Sequence, residues 1–170
     1  SGGNSYYNIL NHGALTINAG VKVISTGAYS SLIASGYYSY KPKASSQPDA
    51  RSNYIEGTNH EYPSLTIKGG TFEGGLNTVK NDDGATLTIE NGTFTNTAQA
   101  PVQNNHIAVI KDGTFTPQGI ATHVVESKYS DATYDLGQTT ISGGTFNGTL
   151  YFAGASPSLT ISGGTFSDPH

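Results

Sequence analysis

The chain has 170 residues, 12% of them charged, and a formal net charge of -4. This length suffices for one domain with a hydrophobic core, and no apolar run approaches the roughly 20 residues that span a membrane. Its eight Lys and Arg residues are scattered singly, which argues against the dense basic stripe that nucleic-acid binding requires. Because there is no Cys, neither disulfides nor thiol chemistry contribute.

One octet recurs along the chain. A degenerate copy, LTINAGVKV, begins at Leu15, and five clearer copies follow: LTIKGGTF at 65–72, LTIENGTF at 87–94, AVIKDGTF at 108–115, TTISGGTF at 139–146 and LTISGGTF at 159–166. The Ile that aligns the copies recurs at intervals of 50, 22, 21, 31 and 20 residues. A base period of about 20–22 residues, lengthened twice by insertion, predicts a stack of coils.

Each octet predicts two short strands joined by a turn. Alternation in the first strand points Leu65 and Ile67 inward and Thr66 outward. A Gly then recurs in every copy, as at Gly70, which predicts a backbone position with φ above zero. The second strand turns Thr outward and Phe inward, and only the first copy departs, with Lys22 where Phe is expected.

A third apolar segment precedes each octet, as in NILN at 8–11 and PVQN at 101–104. Three strands per period and no helical periodicity predict an all-β parallel solenoid of about six coils with two loop insertions. The alternative is a set of antiparallel hairpins, because Asn-Gly and Asp-Gly between apolar runs favour tight turns. The alternating charges of Lys68, Glu90 and Lys111 in successive copies favour stacking instead.

The phrases LTISGGTF and ISGGTFS resemble repeats in large cell-surface proteins of gut-dwelling Gram-positive bacteria. The resemblance runs from about Leu15 to Phe166, apart from the insertions. It implies a right-handed parallel β-helix of the pectate-lyase-like type, in a surface-exposed and usually non-catalytic segment of a multidomain protein. No catalytic motif of that family maps onto this sequence, and repeats of this kind also serve in adhesins, enzyme-attached binding regions and stalks.

Residues 1–170 are therefore expected to form a single solenoid domain with an extracellular location on the bacterial surface. The N-terminal SGGNSYY has neither the charged nor the apolar region of a signal peptide, and the chain ends abruptly after its last coil. These features lead us to expect an excised piece of a longer protein with flanking domains. Direct insertion into a membrane is not expected.

The two insertions, from about Ser35 to Ser64 and from about Ser127 to Gln138, are the predicted functional regions. Both fall at the same corner of the coil and hold seven of the eleven tyrosines. Tyr offers an apolar face and a hydroxyl, which suits sugars and protein surfaces alike. An alternative is that these loops only cover the side of the solenoid. The candidate ligand-binding residues are Tyr37, Tyr38, Tyr40, Arg51, Tyr54, Glu56, His60, Tyr62, Tyr129, Asp131, Tyr134 and Asp135.

Catalysis and metal binding have less support in the sequence. A lyase of this fold needs clustered acids for Ca²⁺ and a basic residue, whereas the octets supply only Glu90 and Asp112 as acids. The adjacent Asp82 and Asp83 are interpreted as a turn, and the five His lack metal-ligand spacing. No catalytic residue, metal or cofactor is therefore predicted.

Three functional hypotheses follow. The first is a non-catalytic, adhesin-like domain that binds a host protein, such as an immunoglobulin or another secreted glycoprotein, or a host glycan. The second is a carbohydrate-active β-helix, either a polysaccharide lyase or an accessory carbohydrate-binding module. The third is a structural stalk.

Overall fold

The computed structural model describes residues 7–36, 63–82, 84–121, 123–130, 136–154 and 157–167. These residues form six coils of three strands each. The strands are, in chain order, β1 (Ile9–Asn11), β2 (Ala14–Ile17) and β3 (Lys22–Ser25) in coil 1; β4 (Ile33–Ser35), β5 (Ser64–Ile67) and β6 (Thr71–Gly74) in coil 2; β7 (Asn77–Asn81), β8 (Thr86–Ile89) and β9 (Thr93–Asn96) in coil 3; β10 (Ala100–Asn104), β11 (Ile107–Ile110) and β12 (Thr114–Pro117) in coil 4; β13 (His123–Ser130), β14 (Gln138–Ile141) and β15 (Thr145–Asn147) in coil 5; and β16 (Thr149–Gly154), β17 (Ser158–Ile161) and β18 (Thr165–Ser167) in coil 6.

Equivalent strands of successive coils pair side by side, in parallel, and make three six-stranded sheets. Sheet A has the order β1-β4-β7-β10-β13-β16, sheet B contains β2 and its equivalents, and sheet C contains β3 and its equivalents. The fold is the predicted right-handed parallel β-helix. The hairpin alternative is wrong, because β8 and β9 of a single octet lie in different sheets.

The repeated Ile and Phe form columns through the interior. Ile67 pairs in register with Ile89, and Ile89 with Ile110, and all three are fully buried. Phe72, Phe94, Phe115, Phe146 and Phe166 stack ring on ring, with centroids 5.0, 4.9, 4.8 and 4.9 Å apart. Each buried Phe or Ile contributes about 1.5–3 kcal/mol before the entropy of ordering the chain is subtracted.

The recurring Gly turns the chain from sheet B to sheet C. Its φ is 118° at Gly70, 140° at Gly92 and 127° at Gly113, as the sequence predicts. A Cβ at Gly92 would lie 2.9 Å from the Phe94 ring, so this position requires Gly for space as well as conformation. Two residues before this Gly in adjacent coils, Lys111 Nζ lies 3.6 Å from Glu90 Oε1, which supports the charge column as a clue to register.

The prediction that Lys22 occupies the Phe position of the first coil is wrong. Lys22 pairs with Thr71, and Val23 pairs with Phe72. Five residues lie between Ile17 and Val23, whereas four lie between Ile67 and Phe72, so the turn in coil 1 is one residue longer. The interior column therefore begins with a smaller apolar residue rather than a charge.

The second predicted insertion begins too early. Strand β13 continues to Ser130, and Ser127 pairs with Phe152 of β16. Residues 127–130 are therefore strand rather than loop, because the longer β16 provides a partner for them. The first insertion agrees with its predicted bounds, since β4 ends at Ser35 and β5 begins at Ser64.

Both insertions leave at the corner between sheets A and B, in coils 2 and 5, and buried Asn side chains hold that corner together. Asn11 Nδ2 donates to Ser35 Oγ at 2.9 Å and to the Ser64 carbonyl at 3.0 Å, which joins the two ends of the first insertion. Asn104 Nδ2 donates to the Gln138 carbonyl at 2.9 Å, where the second insertion ends. Asn81 Nδ2, in coil 3, donates to Asn104 Oδ1, in coil 4, at 2.9 Å.

Candidate functional site

The twelve candidate residues from the insertions stay a prediction. Tyr129 lies in strand β13, and its side chain is not described. The other eleven lie outside the described residues: Tyr37, Tyr38, Tyr40, Arg51, Tyr54, Glu56, His60, Tyr62, Asp131, Tyr134 and Asp135. Both insertions leave from the ends of sheet A strands, the first after β4 and the second after β13.

Sheet A has an unusual outer row. Val79, Val102 and Val125 pair in register and belong to the core, so the residues that follow them point outward. Those residues are Lys80, Gln103 and Glu126, in coils 3, 4 and 5. Gln103 is only 2% exposed and Glu126 is 0% exposed, whereas the outward Thr residues of sheets B and C are exposed or half-buried. A row in which Gln103 and Glu126 are buried and Lys80 is half-buried distinguishes the outer surface of sheet A from the repetitive rest of the solenoid.

Glu126 is the centre of the first polar group on this surface. Its Oε1 accepts hydrogen bonds from Gln99 Nε2 at 2.6 Å and from Asn77 Nδ2 at 3.5 Å. Its Oε2 lies 3.1 Å from His123 Nδ1. A buried carboxylate is costly without such donors, and three of them converge on this one. We call Asn77, Gln99, His123, Glu126 and Tyr151 the Glu126 cluster.

A β-bulge brings His123 and Glu126 together. Residues three positions apart in a regular strand point to opposite faces of the sheet. Between His123 and Val125 the pairing with β16 shifts by one residue, and both Val124 and Val125 are fully buried in the core. The extra residue places the His123 side chain on the same face of the strand as Glu126. Bulges often redirect a side chain in this way.

The His123 ring is held on two sides. The Tyr151 ring of the next coil stacks on it with centroids 4.6 Å apart and an interplanar angle of 7°. Because the carboxylate of Glu126 only accepts hydrogen bonds, it selects the tautomer with the proton on Nδ1. Nε2 is then left without the proton, and both rings are partly exposed, the His123 side chain by 27% and Tyr151 by 38%.

Gln99 reaches Glu126 because the preceding turn is fixed by a buried Asn. Asn96 Oδ1 accepts from the backbone N–H groups of Ala98 at 2.9 Å and Gln99 at 2.7 Å. Its Nδ2 donates to the Gly75 carbonyl of the coil below at 3.0 Å. The turn between β9 and β10 is thus anchored to coil 3, and the Gln99 side chain extends to coil 5.

A second polar group, the Asp82 cluster, comprises Lys80, Asp82 and Asn105. Lys80 Nζ lies 3.0 Å from Asp82 Oδ2, and Asn105 Nδ2 donates to Asp82 Oδ1 at 2.9 Å. Burial raises the pKa of the Asp82 carboxyl above its ordinary value of 3.8, and the Lys80 charge and both hydrogen bonds offset part of that rise. The cluster sits at the exit of the first insertion, where a Cβ at Gly36 would lie 2.8 Å from the Asp82 carbonyl.

The raised pKa of Asp82 predicts a specific dependence of stability on pH. A carboxyl whose pKa is higher in the folded than in the unfolded chain stabilises the fold fully only below its unfolded pKa, near 3.8. This stabilisation is lost as pH rises through the higher pKa of the folded state. Relative to Asp82→Asn, the wild-type free energy of unfolding should therefore fall as pH rises. Urea unfolding between about pH 3 and pH 8 measures this.

The control for this titration is Thr71→Ala, which changes an exposed residue of sheet C without removing an ionisable group. Its difference from the wild type should stay nearly constant over the same range. An Asp82 contribution that grows with pH would contradict the burial argument.

Sequence reasoning missed most of this site. The site residues lie in or beside the third apolar segments TVKN at 78–81, PVQN at 101–104 and HVVE at 123–126, for which apolar residues alone predict a strand. The sequence indicates only a turn at Asp82, and it gives the His residues no role because they lack metal-ligand spacing. One sequence pattern could have indicated the site: a polar residue follows the central Val of the third segment in coils 3, 4 and 5. The pattern appears only when Val125, rather than Val124, is aligned with Val102.

No protein-family model, curated protein or solved structure was found to match the chain. Among the described residues, no group of three or more His, Asp or Glu side chains is placed to hold a metal ion. The described part of the chain also contains no helix long and apolar enough to cross a membrane. The geometry of sheet A is therefore the basis for a functional proposal.

Proposed function

We propose that the chain is a non-catalytic binding domain whose ligand, a protein or a glycan, contacts the sheet A side of the solenoid. The observation that carries the proposal is the outer surface of sheet A in coils 3–5. There the Glu126 and Asp82 clusters replace the Thr-rich pattern of the other two sheets. A scaffold that only had to stack coils has no need of two clusters containing buried carboxylates.

The position of the insertions supports the same side. They leave the solenoid in coils 2 and 5, at the corner between sheets A and B, and the two clusters lie on the coils between and beside those points. The first insertion therefore leaves the solenoid next to the Asp82 cluster, whereas Asn77, Gln99 and His123 of the Glu126 cluster lie at the opposite end of the sheet A strands. Aromatic rings beside fixed hydrogen-bonding groups suit both glycans and protein surfaces.

We further propose that the domain acts outside the cell, on a bacterial surface, as an adhesin-like module for a host ligand. This part rests on the resemblance of the ISGGTF phrases to bacterial surface repeats and on the absence of Cys from the sequence. Candidate ligands include immunoglobulins and other secreted glycoproteins as well as their glycans.

The proposal is tested by capture from mucus and serum together with a glycan array. Deletion of residues 37–62 is expected to abolish capture, while the solenoid still unfolds cooperatively, because its columns lie in the coils. Capture that survives the deletion would show that the first insertion is not needed. Binding would then have to depend on sheet A alone.

A carbohydrate-active β-helix is the second candidate, favoured by the His123–Glu126 pair. A carboxylate that holds Nδ1 of an imidazole leaves Nε2 able to take or give a proton. Incubation with pectins and mucin glycans, with and without Ca²⁺, tests this reading. Product release that disappears in His123→Gln would establish an enzyme and overturn the non-catalytic proposal.

A further inference from the structure

The Asp82 cluster brings an amine, an amide and a carboxyl group into direct contact on the outer surface of sheet A. Lys80 Nζ lies 3.0 Å from Asp82 Oδ2, and Asn105 Nδ2 donates to Asp82 Oδ1 at 2.9 Å. The amide carbon of Asn105, Cγ, is bonded directly to that Nδ2. The two oxygens of one carboxyl group thus hold a nitrogen nucleophile and an amide carbon that this nitrogen can attack.

The register of the coils places these three residues together. Asp82 follows β7 and is two positions after Lys80, so both side chains point outward. Asn81 pairs with Asn104, and the Asn105 N–H donates to the Asn81 carbonyl at 2.8 Å, so Asn105 lies beside Asp82 in the next coil. Lys80 and Asn105 are therefore diagonal neighbours, a separation that a long side chain can span.

The cluster is withdrawn from water, unlike an ordinary surface ion pair. The Lys80 and Asp82 side chains are 15% and 5% exposed, and Asn105 is 4% exposed. Lys111 and Glu90 on sheet B, 3.6 Å apart, are 53% and 40% exposed. Burial disfavours the charged forms of an amine and a carboxyl group, so a proton passes from Lys80 to Asp82 at a lower cost than within the exposed pair.

Two further observations fit a reaction better than a structural ion pair. Burial raises the pKa of the Asp82 carboxyl, so Asp82 can accept the proton that Lys80 must lose to become a nucleophile. Asn105 Oδ1 is buried and has no hydrogen-bond partner among the described residues. A buried amide oxygen without a partner costs stability, and a purely structural role does not explain it.

We propose that Lys80 and Asn105 join in an intramolecular amide bond, with Asp82 as the catalytic base and acid. Asp82 first takes a proton from the Lys80 ammonium. Nζ then attacks Asn105 Cγ, the Nζ–Cγ bond forms and the Cγ–Nδ2 bond breaks, while a second proton moves from Nζ to Nδ2 by way of Asp82. The ammonia that leaves takes the proton held by Asp82 and departs as ammonium, so the reaction needs no other reactant.

The bond would join coil 3 covalently to coil 4 at the exit of the first insertion. The sequence has no Cys that could supply a disulfide between coils. The reaction occurs once in each chain and turns over no substrate. The inference therefore goes beyond the proposed binding function and does not depend on it.

Intact-mass spectrometry of the folded, purified chain tests the bond. The wild type should weigh one ammonia less than its sequence mass of 17.7 kDa, and its digest should contain a branched peptide that joins Lys80 to Asn105. Lys80→Arg should restore the full sequence mass, because a guanidinium keeps its charge beside Asp82 and is not a nucleophile. Asp82→Ala should do the same, because it removes the base and acid. The branched peptide of the wild type decides the question even if Asp82→Ala does not fold.

The matched control is Lys111→Arg, which makes the same exchange in the exposed pair with Glu90 and should leave the ammonia loss unchanged. An ammonia loss that persists in Lys80→Arg would come from another amide, such as Asn91 before Gly92, and would overturn the proposal. A wild type of full sequence mass, with Lys80 unmodified in its digest, would overturn it as well.

Discussion

Gly74→Ala is expected to lower the free energy of unfolding by at least about 3 kcal/mol. Gly74 ends β6 with a φ of 93° and pairs with Ser25 of coil 1. A Cβ at this position would overlap the Ser25 carbonyl oxygen, and both atoms belong to backbones fixed by the sheet. Neither can move without breaking the pairing of β3 with β6. Urea unfolding monitored by circular dichroism measures the loss.

Gly13→Ala is the matched control for this substitution. Gly13 lies in the turn between β1 and β2, and an added Cβ would meet no atom within 4 Å. Its effect should stay within about 0.5 kcal/mol. If both variants lost the same stability, the close approach of the coils at Gly74 would not be the cause.

Phe115→Ala is expected to cost about 3–5 kcal/mol, the second large effect. Its ring stacks on Phe94 at 4.9 Å and on Phe146 at 4.8 Å, and the side chain is fully buried. The neighbouring rings are fixed by their own strands, so the cavity cannot collapse. The midpoint of urea unfolding should fall accordingly.

Phe166→Ala gives the comparison at the end of the same column. Phe166 stacks only on Phe146 and is 41% exposed, so its removal should cost about 1 kcal/mol. Equal losses at Phe115 and Phe166 would contradict a continuous core in which central rings carry the most stability.

The coil architecture was predictable because the octet carries three independent signals. Leu65 and Ile67 alternate with Thr66, Gly70 marks a turn that needs a positive φ, and Phe72 returns the chain to the core. Because the signals recur at one period, the residues that stack on each other are those at the same position of each repeat. The columns of Ile and Phe follow from that repetition, as does the corner at which both insertions leave.

Two boundaries were not predictable for a common reason. Coil 1 holds one more residue between Ile17 and Val23 than later coils, and β13 holds a bulge between His123 and Val125. A single added residue shifts register without changing composition. The register shift is evident only from the strand pairing, of Val23 with Phe72 in coil 1 and of Val125 with Leu150 in β13.

The same bulge explains why the Glu126 cluster was hidden in the sequence. His123 and Glu126 are separated by an interval that places them on opposite faces of a regular strand. Gln99 comes from another coil and reaches Glu126 only because Asn96 fixes its turn. Contacts that depend on a bulge and on stacking between coils have no local signature in a chain.

The most direct measurement is the dissociation constant of a ligand captured from mucus, serum or the glycan array, compared between variants of two sheets. Tyr151→Ala and His123→Ala alter partly exposed residues on the outer surface of sheet A, and Thr93→Ala and Thr114→Ala are their counterparts on sheet C. We expect binding at least about tenfold weaker for the sheet A pair and unchanged for the sheet C pair. Unchanged binding in the sheet A pair, or an equal loss in both, would contradict a ligand surface on sheet A.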